Sequence, residues 1–407
     1  MLHKLFRRAA GMVSSVRTAL LAGAALVLAS AVAAVPASAA DATVIDAVGQ
    51  PLGIAYGPDG ALYVSDYNWV GGVSVHQPGE AQASRHITVG HFSTSLAVTA
   101  GGTVYVLQHT ESQQTELGVV APGASGVSAT IPLTQGNHWL AAAPDGSLYV
   151  ASPSEGTVSV VPPGGTRVER VLDAGPFPVE VAVAGDGTAY AANQHAGTVA
   201  VIPAGAAGPS HTVDVGRTSS PHGIAVAPDG TVYVANVLSG DVAVIEPSGT
   251  TVSQRIRVGR GPQEVAAGPD GTVYVTNSVD NTVSVIPPGA DAVAQTLPTG
   301  EDPGRLAIAA DGSVAVVNRG SKTITVFDGG SDGSAAAAAA GREDPPAAAA
   351  TPSAPPSEGT VIAEGSFDVA LPAVAAGAGA LVLAGAAILV AVLRRRRSSR
   401  ITYRPPH

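Results

Sequence analysis

Cysteine is absent from all 407 residues, which excludes disulfides, thiolate metal centres, haem thioethers and a lipoprotein anchor. Aromatic residues make up only 4% of the chain and charged residues 13%. A core of this composition has few large anchors, so its elements must approach closely through Ala, Val and Gly. Positive charge is scarce as well. All 31 acidic residues fall between Asp41 and Asp368, against 11 basic ones, about 20 net negative. That field repels phosphate backbones, so no nucleic-acid partner is expected. The chain also lacks a Ser/His/Asp nucleophile motif, a phosphate-cradling loop and a dinucleotide fingerprint.

What the chain has is one paragraph written seven times. Its turn glycine recurs at Gly60, Gly102, Gly146, Gly187, Gly230, Gly271 and Gly312, a spacing of 41 to 44 residues. That period predicts a β-propeller. In each copy an almost wholly apolar run, such as Gly223 to Pro228, reads as an innermost strand buried between neighbouring blades. Asp-Gly follows as a tight hairpin supplying positive-φ residues, replaced by Gly101-Gly102 in the second copy. An alternating second strand (Thr231 to Asn236), a third (Asp241 to Gly249) and a polar fourth complete the copy. The last copy ends at Asp328 without a fourth strand, while Thr43 to Gly49 is a spare one, so the two are expected to join. Arginines on the fourth strands, among them Arg85 and Arg255, read as guards of the outer sheet edges.

The flanks give the expected address. Residues 1–39 combine basic Lys4, Arg7 and Arg8, an apolar run and Ala37-Ser38-Ala39, the pattern of an export signal. Residues 329–366, rich in Ala, Pro, Ser and Gly, read as a disordered tether. Residues 369–393 are 25 uncharged positions, about 37 Å as a helix against a hydrocarbon core of about 30 Å. Residues 394–407 begin with four arginines, which would stay on the cytoplasmic side. The fold class expected is therefore all-β: a seven-bladed β-propeller over residues 41–328, closed by an N-terminal strand in the last blade, plus a single C-terminal transmembrane helix. The expected location is the cell membrane, single-pass, with the propeller outside and the tail cytoplasmic.

Tyr274-Val275-Thr276-Asn277 and its variants Tyr233 to Asn236, Tyr63 to Asp66 and Tyr190 to Asn193 resemble the signature of the YVTN family of extracytoplasmic propellers. The chain is also similar to NHL-type and streptogramin-lyase-like propellers. The resemblance covers Asp41 to Asp328 and implies a fold rather than an activity. Likeness to the streptogramin lyases implies two histidines at the His222 position of successive blades, and a glutamate at the end of the following second strand. His222 matches the first; Gln263 and Asn277 stand at the other two places.

Two repeat registers are expected to ring one channel mouth. The first runs Leu52, Thr94, His138, Val179, His222, Gln263, Gly304, and the second Gly53, Ser95, Trp139, Glu180, Gly223, Glu264, Arg305. His138, Glu180 and His222 are the candidate catalytic residues, as a His-Glu-His set for acid/base work or a divalent metal; no other cofactor is expected. Trp139, Glu264 and Arg305 are candidate ligand-binding residues, with Arg305 and Glu264 forming an ion pair between adjacent blades. Asn277, Asp280 and Asn281 offer oxygens for weak calcium binding. Two functions fit: a membrane-anchored module binding a protein, peptide or glycan, its membrane contact made by the C-terminal helix, or a propeller hydrolase or lyase. The sequence leaves the oligomeric state open.

Overall fold

A computed structural model describes residues 42–112, 114–134 and 139–328. Among them are strands β1 to β28 in chain order, arranged as seven antiparallel four-stranded sheets. Six blades are consecutive in sequence, over residues 51–87, 91–132, 139–173, 178–214, 221–257 and 262–298. The seventh combines β26 (Pro303–Ile308), β27 (Val314–Asn318) and β28 (Thr323–Phe327) with β1 (Ala42–Asp46), in the order β1-β28-β27-β26. Ala42 lies opposite Phe327 and Asp46 opposite Thr323.

Innermost strands are β2 (Pro51–Tyr56), β6 (His91–Val98), β10 (Trp139–Ala142), β14 (Pro178–Val183), β18 (Pro221–Val226), β22 (Pro262–Ala267) and β26. Each packs against its neighbours, with β2 against β26. The cores lie between blades: Val179, Tyr190 and Val213 of the fourth share one apolar cluster with Ile224, Val234 and Ile245 of the fifth. Ile202, Ile245, Ile256, Ile286 and Ile324 are fully buried in such seams.

Two expectations about the fold change here. No sheet closes on itself: β1 completes an open four-stranded blade, and side-chain packing of β2 on β26 shuts the ring. The transmembrane helix is also corrected. No helix among the described residues is long and apolar enough to cross a membrane, and residues 369–393 lie outside them. Single-pass topology, a cytoplasmic tail, the membrane as a partner and the membrane-anchored binding module are withdrawn with it. The signal reading of 1–39, the tether of 329–366 and the tail of 394–407 likewise fall outside the described residues.

Local chemistry accounts for the regularity. In the fifth blade, Gly230 N–H donates to Ala227 O at 2.9 Å and Ala227 N–H to Thr231 O at 2.8 Å. Only the glycine is left-handed, with φ 89°, so the loop is a three-residue hairpin ending in a glycine bulge. The aspartate does something else: Asp229 Oδ1 accepts the Thr231 N–H at 2.9 Å. At the opposite end of the second strand, Asn277 is fully buried and donates to Thr282 Oγ1 and Ser284 Oγ at 3.1 and 2.9 Å. Asn318 repeats that bracket. The motif asparagine therefore fixes a loop through its amide nitrogen. Outer-strand arginines do more than guard edges: Arg255 Nη2 donates to Val215 O of the preceding blade at 2.8 Å, and Arg85 Nη1 to Ala124 O of the next.

Inner strands approach so closely that even a methyl group is excluded. A Cβ on Gly223 would lie 2.8 Å from backbone atoms of Gln263, Glu264 and Val265 in the next blade. Gly223→Ala is expected to destabilise the fold by roughly 1–3 kcal/mol through overpacking. An unaltered thermal midpoint for this variant would show that the seam can relax.

Candidate functional site

The channel mouth is shaped by a pairing irregularity. On β18 the register runs from Pro221 opposite Asn236 to Ile224 opposite Val234, leaving two residues against one. The same slip occurs on β22 between Pro262 and Val265 and on β26 between Pro303 and Leu306, and a related one on β14 between Pro178 and Glu180. A bulge re-aims the side chains it contains. Strict alternation would send the two repeat registers to opposite sides; the bulge brings members of both to one place.

Arg305 is the hub. From the seventh blade its Nε bonds Glu264 Oε2 of the sixth at 3.1 Å, and its Nη1 bonds Glu180 Oε1 of the fourth at 2.9 Å. Its guanidinium carbon sits 3.9 Å from the centroid of the Trp139 ring of the third, a cation–π contact. One side chain thus spans the mouth. The ion pair with Glu264 joins adjacent blades, but the bond to Glu180 and the stack on Trp139 cross the channel. Side-chain exposure is 15% for Arg305, 9% for Glu180 and 7% for Glu264. Arg305 Nη2 is buried and has no hydrogen-bond partner among the described residues.

Two carboxylates this deep with one cation cannot both remain ionised cheaply. Burial pushes Glu180 well above the usual carboxylate range, against the pull of Arg305, and the charge of Glu264 adds to the rise. Glu264 is raised too, chiefly by burial, with Arg305 and a hydrogen bond from Glu180 opposing. Both shifts disfavour two ionised carboxylates beside a single guanidinium, and the larger rise falls on Glu180.

His222 stands beside it, its ring edge-on to Trp139 with centroids 6.0 Å apart. A carbonyl can only accept, so the 3.0 Å contact from Nδ1 to Gln263 O places the proton on Nδ1 and leaves Nε2 as the basic nitrogen. Burial, then the nearby Arg305 and Arg319, push its pKa down to about 4. The mouth thus holds an imidazole that burial keeps neutral, a carboxyl whose ionisation burial opposes, and a cation.

The candidates divide as follows. Trp139, Glu180, His222, Glu264 and Arg305 meet; His138 lies outside the described residues. Among the described residues no group of three or more His, Asp or Glu is placed to hold a metal ion. Of the residues proposed for calcium, Asp280 binds Arg260 N and Nε at 2.7 and 2.6 Å and Asn281 Oδ1 accepts the Asp302 N–H, while Asn277 is fully buried and its Oδ1 has no hydrogen-bond partner among the described residues. Reasoning from sequence missed that every described mouth histidine packs on an aromatic ring: His91 on Trp69, His109 on Phe92, His195 on Phe177 and His222 on Trp139. Only the clustering of histidines and scarce aromatics in the mouth-facing loops could have suggested it.

Residues 37–326 match the model of the virginiamycin B lyase family. No curated protein matches the chain by sequence. Solved structures with the same fold include a hydrazine synthase of Kuenenia stuttgartiensis, 20% identical with a TM-score of 0.61 over 69% of this chain and 97% of that one. A streptogramin B lyase is 15% identical with a TM-score of 0.58, covering 70% and 97%. The virginiamycin B lyase of Staphylococcus aureus is 12% identical with a TM-score of 0.57, covering 70% and 98%. At these identities the likeness shows the fold.

The depressed pKa of His222 carries a stability consequence. Between pH 6.5 and about 4 the unfolded chain binds a proton at this position that the folded one refuses, so stability falls as pH drops through that window. A gap of this size corresponds to roughly 3 kcal/mol. Denaturant unfolding at about pH 7 and pH 4.5 should show His222→Gln losing less stability on acidification than the parent. Equal losses would mean that His222 titrates normally in the fold.

Proposed function

The chain belongs to the virginiamycin B lyase family, and from that membership together with the mouth geometry we propose that it is a lyase opening a carbon–oxygen bond of an ester-type substrate by elimination. The observation that carries this is the convergence, around Trp139, of the His222 imidazole with its Nε2 free of the Gln263 contact, the buried Glu180 carboxyl, and the Arg305 guanidinium, whose Nη2 has no hydrogen-bond partner among the described residues. His222 Nε2 removes a proton from a carbon activated by a neighbouring carbonyl. The electron pair left behind forms the new double bond, and the bond to the departing oxygen breaks. Arg305 stabilises the charge gathering on the carbonyl oxygen through Nη2, and Glu180 gives its proton to the departing oxygen. No water is consumed.

Of the residues implied by the streptogramin-lyase likeness only His222 takes part; Arg305 and Glu180 supply the rest of the chemistry. Asn277 is locked in its bracket, and Gln263 contributes only its backbone carbonyl, to orient His222. We read the Tyr274-Val275-Thr276-Asn277 tetrapeptide as a sign of closer kinship with YVTN and NHL-like propellers inside this broader family.

Mass spectrometry of the products separates elimination from hydrolysis. Purified chain incubated with streptogramin B and a panel of cyclic esters should yield a ring-opened product of unchanged mass with a new carbon–carbon double bond. His222→Ala and Arg305→Lys should each slow turnover roughly 10²–10⁴-fold, the second because lysine keeps the charge but not the planar fork. A product heavier by one water, or no turnover of any cyclic ester, would overturn the proposal.

A further inference from the structure

At the first register of the mouth the seventh blade carries Gly304, where the blades before it offer Val179, His222 and Gln263. No turn calls for that glycine, because its φ lies outside the left-handed region. What it supplies is space. A Cβ on Gly304 would lie 3.0 Å from Arg319 Nε, 3.2 Å from Cδ and 3.3 Å from Cζ, so the guanidinium fills the place that a side chain at 304 would take. Arg319 directly follows the motif asparagine that ends β27, a position held in the three preceding blades by Gln194, Val237 and Ser278. The seventh blade thus brings two guanidinium groups to the mouth, Arg305 from the second register and Arg319 over the first.

Neither group is saturated. Arg319 Nη2 donates to Asp302 Oδ1 at 2.8 Å, but the aspartate side chain is 48% exposed, and an ion pair so open to water contributes little. Arg319 Nε is buried without a hydrogen-bond partner among the described residues, and Arg305 Nη2 is in the same condition. A charged donor left without an acceptor in a buried place is costly. Because the Arg319 side chain is 32% exposed and held at one corner, its guanidinium can turn to meet an incoming oxygen. Both cations also reach His222: after burial it is Arg305 and Arg319 that hold its pKa down at about 4, and only the Gln263 carbonyl acts the other way. A general base works best with a pKa near the working pH, so this field weakens His222 as a base. A negative charge delivered to this side of the mouth answers the unpartnered N–H groups and raises the imidazole toward the useful range.

The donors select the kind of anion. A phosphate dianion needs two units of positive charge and donors on several oxygens, whereas Arg305 already carries Glu180 and Glu264, and Arg319 carries Asp302. A carboxylate needs one charge and two N–H groups, which is what an arginine fork presents. A neutral ester or amide in the same place would leave the field at His222 as it is. We propose that the substrate carries a free carboxylate beside the ester that is opened, and that Arg319, with Arg305, receives it. This deepens the lyase reading and rests on it for the identity of the ligand as a substrate; the carboxylate site itself stands on the two arginines. Arg319 sets specificity for acidic esters, and the bound carboxylate makes His222 a stronger base.

Benzoate and benzamide share a shape, differ in charge and carry no ester, so they probe the site without turnover. The chain has two tryptophans, and in Trp69→Phe the remaining indole is Trp139, whose ring centroid lies 3.9 Å from Arg305 Cζ. Its emission should change saturably with benzoate, and benzamide should bind at least tenfold more weakly. Arg319→Gln in the same background, shown by circular dichroism to be folded, should weaken benzoate at least tenfold and leave benzamide unchanged. In the unmodified chain, NMR titration of His222, assigned by its loss in His222→Gln, should show a pKa raised by saturating benzoate and unmoved by benzamide. Equal binding of the two probes, unchanged benzoate binding in folded Arg319→Gln, a His222 titration that benzoate leaves unmoved, or tighter binding of phenylphosphonate than of benzoate would each overturn the inference. Should Arg319→Gln fail to fold, the comparison of benzoate with benzamide decides alone. A chain that opens neutral cyclic esters but ignores benzoate would refute the carboxylate site and leave the lyase reading standing; selective benzoate binding with no turnover of any ester would do the reverse.

Discussion

The ring is held tight by small side chains between neighbouring inner strands, and the mouth exists in its present form because of that tightness. Gly223 leaves no room for a methyl group against the next blade. At such spacing one arginine from the seventh blade can touch the third, fourth and sixth together. A looser ring would leave Arg305 with its adjacent-blade partner Glu264 and a solvated channel. Packing sets the distance, and the distance makes the electrostatics.

Those electrostatics are poorly explained as a device for stability. Burying three ionisable groups carries a desolvation penalty that attraction between them often only balances, and apolar replacements of buried ion pairs are frequently neutral or stabilising. As chemistry the arrangement makes sense. A neutral His222 and a charged Arg305 are what water would also give at neutral pH; the departure is Glu180, whose ionisation burial opposes. Perturbation of this kind, in a cleft and with named partners, is typical of functional sites. It is also the feature on which the proposed elimination rests in this chain, where Gln263 and Asn277 occupy the positions at which a histidine and a glutamate were implied.

Much of this was legible in the repeats. Seven copies with a turn glycine at fixed spacing predict seven blades, and aligning the copies places Trp139, Glu180, His222, Glu264 and Arg305 at one level of the ring. What alignment could not say is which of them meet. Strand alternation argues that Glu180 and His222 face apart, and only the bulges at Pro178, Pro221, Pro262 and Pro303 bring the two registers together. Each of those bulges starts at a proline at the head of the inner strand, a recurring mark whose meaning for the register the repeats alone did not disclose. The pairing of mouth histidines with aromatic rings was hidden for a related reason: the stack of His91 on Trp69 crosses a blade seam, and the Phe92 beside it is left-handed, which propensity argues against. Turn chemistry was half legible, since Asp-Gly marks the hairpin but the aspartate works through its side chain rather than its φ.

At the centre of the account stands the proton that the proposed elimination places on Glu180, beside a charged Arg305. Infrared difference spectroscopy of the folded chain at neutral pH reads that proton directly. The account predicts the carbonyl stretch of an un-ionised carboxylic acid, shifted by deuterium exchange and lost in Glu180→Gln. A spectrum containing only ionised carboxylate bands, identical in the variant, would contradict it.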